Sequence, residues 1–333
     1  MEQRRGDWSG RRVLVTGAAG FIGSHVSQRL VEMGADVVGL DNFDRFYDRA
    51  VKETNVRSCE LAAAETDCGS FALIEADLTE ASAVARAMGG CEGVIHLAAK
   101  AGVRPSIADP AGYATSNIVG TSVVLTEAAR AGVQREIAAS SSSVYGNASE
   151  APFSETDPAV EPISPYAATK RACELLGSTH HHLTGLPVAM LRFFTVYGPR
   201  QRPDLGIHVF LERCSRGERI QMFGDGSTSR DYTYIDDIVD GVLAAYHAVD
   251  AHGYRVWNLG GSSPVRLDAL LAAVGRVVGA EPMIERVGAQ PGDVDRTWAD
   301  LARSGLERDY APKTSLDEGL RRQWSRLSGH RTD

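Results

Sequence analysis

The stretch Val13-Leu-Val-Thr16-Gly17-Ala-Ala-Gly20-Phe-Ile-Gly23 decides the fold. Its first four residues read as a short buried strand, and glycines then recur at every third position. An amphipathic helix is predicted over Ser24 to Met33, closed by Gly34. A second strand, Val37-Val-Gly-Leu40, runs into Asp41. Strand, glycine turn, helix, strand and acid in that order read as a dinucleotide-binding unit. Glycine permits the tight turn and lets backbone approach a pyrophosphate, while the helix N-terminus supplies free N–H donors and partial positive charge. Gly17, Gly20, Phe21, Ile22 and Gly23 are therefore candidate cofactor contacts, with Asp41 and its neighbour Asn42. Asp41 can accept from both hydroxyls of an adenosine ribose and would repel a 2′-phosphate. No arginine directly follows it, so NAD is expected over NADP.

The βα alternation continues outward from this unit. A helix is expected around Ala50 to Ala64 and a third strand over Phe71 to Ala76, with Asp77 and Leu78 at its end, where an adenine amino group could be met. The fourth strand, Val94-Ile-His-Leu97, is followed by Ala98 and Ala99, small enough for backbone to lie against a cofactor. His96 is flanked by apolar residues and reads as a packed strand residue. Lys100 and Arg104 fall in the next loop, at the strand tops where open α/β sheets bind ligands; Arg104 is a candidate substrate contact. A helix over Asn117 to Ala131 and a strand over Glu136 to Ala139 lead into Ser140-Ser-Ser-Ser143-Val-Tyr145-Gly146. The loop from Asn147 to Ser164 is expected to form a lid or rim.

Tyr166 and Lys170 then stand four residues apart in a predicted helix, with Ser164 as N-cap and Pro165 in the first turn. Residues at i and i+4 share a face, so the phenol and the ammonium are expected to point into one cleft. A phenol titrates near 10, and a cation beside it lowers that value toward the range general base catalysis needs. The consecutive His180, His181 and His182 share no helical face, so no metal site is expected there.

Past a strand at Val188 to Leu191 the alternation loosens. Short strands are expected at Ile220 to Phe223 and Arg230 to Tyr234, on either side of Gly224-Asp-Gly226. A strand over Val256 to Leu259 and helices over Asp236 to Val249, Leu267 to Val278 and from Leu316 complete the pattern. The fold class is α/β: a Rossmann-type doubly wound parallel sheet with a smaller mixed C-terminal substrate-binding part. The expected division is 1–190 and 191–333, with strand exchange back into the main sheet allowed. Arg202, Arg230 and Asp293 are candidate ligand contacts in the second part, since the arginine fork suits phosphate.

Composition narrows the partners. A net charge of -8 with no dominant basic block argues against nucleic acid or anionic membrane as the main partner. Five scattered cysteines without C-x-x-C spacing fit reduced thiols. No run approaches the ~18 apolar residues that span a bilayer. The N-terminal stretch lacks an apolar core for a secretion signal. A cytoplasmic setting is expected.

These blocks together resemble the extended short-chain dehydrogenase/reductase superfamily, in particular its NAD-dependent nucleotide-sugar epimerases. The closest likeness is to UDP-glucuronic acid 4-epimerases. It rests on Leu40-Asp-Asn-Phe43, His96-Leu-Ala-Ala99 with Ala101-Gly-Val-Arg104, Ser140 to Gly146, Pro162 to Lys170, Arg192-Phe-Phe-Thr-Val-Tyr-Gly198, Arg230 to Asp237 and Gln290-Pro-Gly-Asp-Val294. The resemblance implies that Gly17, Gly20, Gly23 and Asp41 hold a tightly kept NAD, that Asp77 meets the adenine, and that Tyr166 and Lys170 are the catalytic pair. It implies that Ser141 works beside the sugar's 4-hydroxyl and that Arg230 and Asp293 meet the UDP moiety. It also implies a homodimer through two helices, about Thr115 to Arg130 and Tyr166 to His182. Thr195 stands where many epimerases carry asparagine, and Lys100 where glutamine is more usual. Related decarboxylases carry a glutamate, and dehydratases an Asp-Glu pair, where this chain has Ser142 and Ser143. Those two hydroxyls with Thr195 are expected to hold the substrate carboxylate. UDP-glucose/galactose epimerisation, UDP-glucuronate decarboxylation and a non-catalytic NAD-binding sensor are the alternatives.

Overall fold

The computed structural model describes residues 8–147, 150–288 and 294–329. Six strands of its main sheet are β1 (Arg12–Thr16), β2 (Asp36–Asp41), β3 (Ser70–Glu75), β4 (Gly93–His96), β5 (Arg135–Ser141) and β6 (Val188–Phe193), linked by helices. These are α1 (Phe21–Glu32), α2 (Arg49–Ala64), α3 (Ala81–Ala87), the short α4 (Val103–Ala108) and α5 (Pro110–Tyr113), α6 (Gly120–Ala131) and α7 (Pro165–Thr184). A single π-helical turn, Ala114–Val119, leads into α6.

The remaining elements are β7 (Thr195–Tyr197), α8 (Gly206–Ser215), β8 (Arg219–Phe223), β9 (Ser229–Tyr234), α9 (Ile235–Ala248), β10 (Tyr254–Leu259), β11 (Pro264–Arg266), α10 (Leu267–Val278), β12 (Met283–Val287), α11 (Ala302–Arg308) and α12 (Leu316–Ser328). The main sheet runs β10-β6-β5-β4-β1-β2-β3 and all its pairs are parallel. The chain thus leaves β10 at the far edge of the sheet, after passing through the elements that follow β6. The strands expected beside Gly224-Asp-Gly226 do not pair with each other. β8 pairs with β12, and β9 joins β7 and β11 in a three-stranded sheet.

Strand alternation explains the two layers. Val13 and Val15 pack into one core with Val26, Leu30 and the α9 residues Ile238 and Val242, all fully buried or nearly so. Leu14, between them in sequence, points into the opposite core with Val124, Leu125 and Ala128 of α6. A strand covered on both faces reads as a continuous apolar run, which is the composition of Val13-Leu-Val.

The order reverses between β1 and β4, and ligands of open α/β sheets bind at such a switch point. There the two strand tops come close enough to exclude a side chain. A Cβ on Gly17, whose φ is +71°, would lie 2.8 Å from the Ala98 amide nitrogen. The loop expected to form a lid or rim is, in its described part, a fastened rim: Phe153, Ile163 and Ser164 border a small cavity beside the main cleft. Phe153 N donates to the Trp298 carbonyl at 2.7 Å, and the Glu155 carboxylate accepts from Asn258 N at 2.8 Å. Phe153 and Ala159 are buried, so apolar contact fastens this segment to the C-terminal part.

Candidate active site

One cleft of about 700 Å³ crosses the tops of β1, β2, β4 and β5 and reaches β9. At its cofactor end, Gly20 caps α1 with extended backbone. The N–H groups of Phe21, Ile22 and Gly23 therefore have no intrahelical acceptor and face outward as anion donors. A Cβ on Gly23 would lie 2.0 Å from the Gly17 carbonyl oxygen, so the turn closes only with glycine there. Asp41 is 7% exposed; its carboxylate accepts from Ala19 N at 3.1 Å and Phe43 N at 2.8 Å. A carboxylate offers about four lone-pair sites, so two remain for a ribose diol. Burial raises the Asp41 carboxyl, opposed first by the Lys52 ammonium 3.9 Å away and then by the two N–H donors. Asn42 donates to Asp77 at 2.7 Å, and both line the cleft with Leu78, Leu97, Ala98 and Ala99. The glycine cradle, the outward N–H groups and the spare acceptors of Asp41 together fit a dinucleotide.

The catalytic candidates lie further along. Tyr166 and Ser141 border the same part of the cleft, where the Ser141 hydroxyl opposes the upward push of burial on the phenol. Ser141 Oγ is 3.1 Å from Ser143 Oγ and accepts from Ser143 N at 3.1 Å. Lys170, 5% exposed, donates to the Ala139 carbonyl at 2.8 Å. The spacing of Tyr166 and Lys170 predicts a phenol lowered by the ammonium, and here the structure differs. Burial raises the phenol above its ordinary value, and the groups opposing it are the Ser141 hydroxyl and the Arg202 guanidinium. Lys170 is itself lowered, first by burial, and its donor is directed at the strand backbone.

Ser142, Ser143, Thr195, Arg104, Arg202 and Arg230 all border the cleft, and Ser142, Ser143, Thr195 and Arg230 also border a smaller side cavity of about 120 Å³. Arg202 is not a free phosphate fork. It donates to Asp204 at 3.0 and 2.7 Å, because the two charges sit two residues apart on one turn. Arg104 stacks over the Phe223 ring at 4.7 Å, and Lys100 pairs with Asp109 at 3.0 Å. Asp293, with Gln290 to Gly292, lies outside the described residues. His96 is a packed residue held between Thr16 (2.7 Å) and Thr121 (3.0 Å), and burial lowers it to about 3.

Several positioning residues escape sequence reasoning. Asn117, in the π-helical turn, accepts from Lys100 N at 2.8 Å and donates to the Lys100 carbonyl (3.0 Å) and Thr169 (2.9 Å), tying the loop after β4 to α7. Ser106 accepts from Tyr166 N at 3.1 Å. Glu174 takes both Arg192 Nε and an Arg192 terminal nitrogen at 2.8 Å and Ser140 Oγ at 2.6 Å, all buried. Its place one turn beyond Lys170 on the same helical face was a usable signal; the pairings of Asn117 and Ser106 are long-range and left none.

Comparison with known proteins settles the family. The family described as NAD dependent epimerase/dehydratase matches residues 13–260. The chain belongs to that family. A UDP-glucuronate 4-epimerase of Thermodesulfobacterium geofontis is 39% identical over 318 residues, covering 94% of this chain and 95% of the relative. A probable UDP-glucuronate 4-epimerase of Rhizobium meliloti is 36% identical over 330 residues, covering 93% and 95%. The crystal structure of UDP-glucuronic acid 4-epimerase from Bacillus cereus, in complex with UDP-glucuronic acid and NAD, superimposes with a TM-score of 0.87 at 34% identity, over 96% of this chain and 99% of that one. The seven-stranded parallel sheet and the glycine turn at its switch point are thus those of an NAD-dependent family member. Among the described residues no group of metal-ligating side chains comes together, and no helix is long and apolar enough to cross a membrane.

Proposed function

We propose that this protein inverts C4 of UDP-glucuronate to give UDP-galacturonate, through a transient 4-keto sugar. The observation that carries the reading is the convergence of Tyr166, Lys170 and Ser141 on one cleft, with Ser142 and Ser143 following Ser141 along its wall. The phenolate of Tyr166 takes the proton of the 4-hydroxyl, and Ser141 holds that oxygen in reach. Lys170, fixed on Ala139, keeps positive charge at the nicotinamide end of the site. Bound NAD supplies the acceptor and then the donor of the C4 hydride, and a positive charge beside the phenol. The 4-keto sugar turns over in the pocket before reduction, so NAD is regenerated and no second substrate is consumed.

A 4-ketone makes the C5 carboxylate a β-keto acid, prone to lose carbon dioxide. Ser142, Ser143 and Thr195 offer neutral hydroxyls and no acid at that point, which supports a site that holds the carboxylate without assisting its loss. Arg230 and Asp293 take the UDP end, and Arg104 and Arg202 border the sugar. In this scheme residues 1–190 carry NAD and the catalytic pair, and 191–333 carry the UDP-sugar. The partner is a second copy of the chain. Leu175 and Leu183 on α7 are 54% and 74% exposed and Val119 before α6 is 47% exposed, an apolar face on the two helices expected to pair. Five unpaired thiols, Cys68 among them exposed, support a cytoplasmic setting.

The test is purified protein with UDP-glucuronate deuterated at C4, without added NAD, followed by NMR. UDP-galacturonate that keeps deuterium at C4 is expected. UDP-pentose and carbon dioxide would assign decarboxylation, and turnover of UDP-glucose alone would assign the glucose/galactose reaction. Ser143→Ala and Thr195→Ala are expected to raise the carbon dioxide fraction; unchanged product purity in both would remove their role.

A further inference from the structure

Lys52 is the cation nearest the ribose end of the cleft that the NAD reading does not use. It rises from the first turns of α2, is 5% exposed, and borders the cleft beside Asp41. An ammonium carries three donors. The hydrogen bond the structure gives Lys52 is to the Asp44 carbonyl at 2.9 Å. Its nitrogen stands 3.9 Å from Asp41 Oδ1 and 4.8 Å from the centre of the Tyr47 ring. The other cation on this helix turn, Arg49, is committed to Glu53 and Glu75 at 2.8 and 2.7 Å and stacks on Phe43.

Asp41 is what excludes a 2′-phosphate, yet a buried positive charge lies within one contact distance behind it. We infer that Lys52 is a latent 2′-phosphate partner, so that the choice of NAD over NADP rests on the single Asp41 carboxylate, and removing that charge turns the same pocket toward NADP. With Asp41 ionised, the ammonium is neutralised and serves to hold the Asp41–Asp48 segment. With Asp41 replaced by an uncharged residue, the Lys52 ammonium, one donor of which is held by the Asp44 carbonyl, borders the cleft with no carboxylate beside it at that position. A neighbouring cation is how dinucleotide folds accommodate that phosphate.

This rests on the NAD site read above, and the experiment separates the two. Wild type, Asp41→Asn, Lys52→Gln and the double variant are each equilibrated with an equal mixture of NAD and NADP and desalted. Bound nucleotide is then extracted and resolved by chromatography, with thermal melting as a folding control. Wild type is expected to hold NAD; wild type holding neither nucleotide would sink the NAD site itself. Asp41→Asn is expected to raise the bound NADP:NAD ratio at least about tenfold, and the double variant to return most of that gain. An Asp41→Asn protein that melts normally without gaining NADP would overturn the inference. So would a double variant that keeps the gain. Should Asp41→Asn fail to fold, Asp41→Ser carries the same comparison.

Discussion

Replacing Glu136 by glutamine should change how stability depends on pH, by an amount that can be worked from the structure. Glu136 lies on β5, the strand that delivers Ser141, and is 0% exposed; neither carboxylate oxygen has a hydrogen-bond partner. Burial raises its carboxyl from 4.5 to about 8. Between those values the unfolded chain has released the proton and the folded protein has not. Stability is therefore unaffected below 4.5, falls as pH rises, and levels off above about 8. Each pH unit costs about 1.4 kcal/mol, so the wild type should lose about 3 kcal/mol from this group between about pH 5.5 and 8. A glutamine at this position keeps the volume and cannot titrate. Asp41, Asp231 and His96 are shifted by burial too, but they titrate in both proteins and cancel in the difference. Denaturant unfolding at both pH values gives the comparison: Glu136→Gln should gain about 3 kcal/mol on the wild type as pH rises. Parallel stability curves, within about 0.5 kcal/mol, would mean the carboxylate is hydrated or partnered and the reasoning is wrong.

Gly23→Ala should purify without nucleotide, because its Cβ meets the Gly17 carbonyl at 2.0 Å and the turn must open; absorbance and extraction of the purified protein report it. Glu174→Gln should lower unfolding stability by about 3 kcal/mol, the scale for leaving a buried arginine half-paired, since Arg192 and Ser140 both depend on that carboxylate. Arg202→Met removes a charge that opposes the raised state of Tyr166, so the acid limb of the rate–pH profile should move to higher pH. An unmoved limb would separate Arg202 from the phenol.

Much of the fold was legible because its signals are local. Val13-Leu-Val, the glycine repeat and Asp41 stand within residues 13–41, where buried strand, tight backbone turn and acceptor carboxylate follow one another in sequence. Tyr166 and Lys170 were likewise readable from helical spacing. What the spacing left out was the balance of burial against charge at Tyr166, which depends on Ser141 and Arg202, distant in sequence. The C-terminal part was harder for the same reason. β7, β11 and β12 are short and gain their pairing from strands elsewhere in the chain, so no periodicity announces them. Lys52 reads in sequence as one charge in a polar helix; only the fold brings it against Asp41.

The phenol oxygen of Tyr166 is the group on which the proposed epimerisation most directly depends. Tyr166→Phe, assayed by NMR on UDP-glucuronate with its bound nucleotide quantified in the same sample, should lose at least about 10²-fold in rate while retaining NAD. A variant that holds NAD and epimerises at the wild-type rate would contradict it.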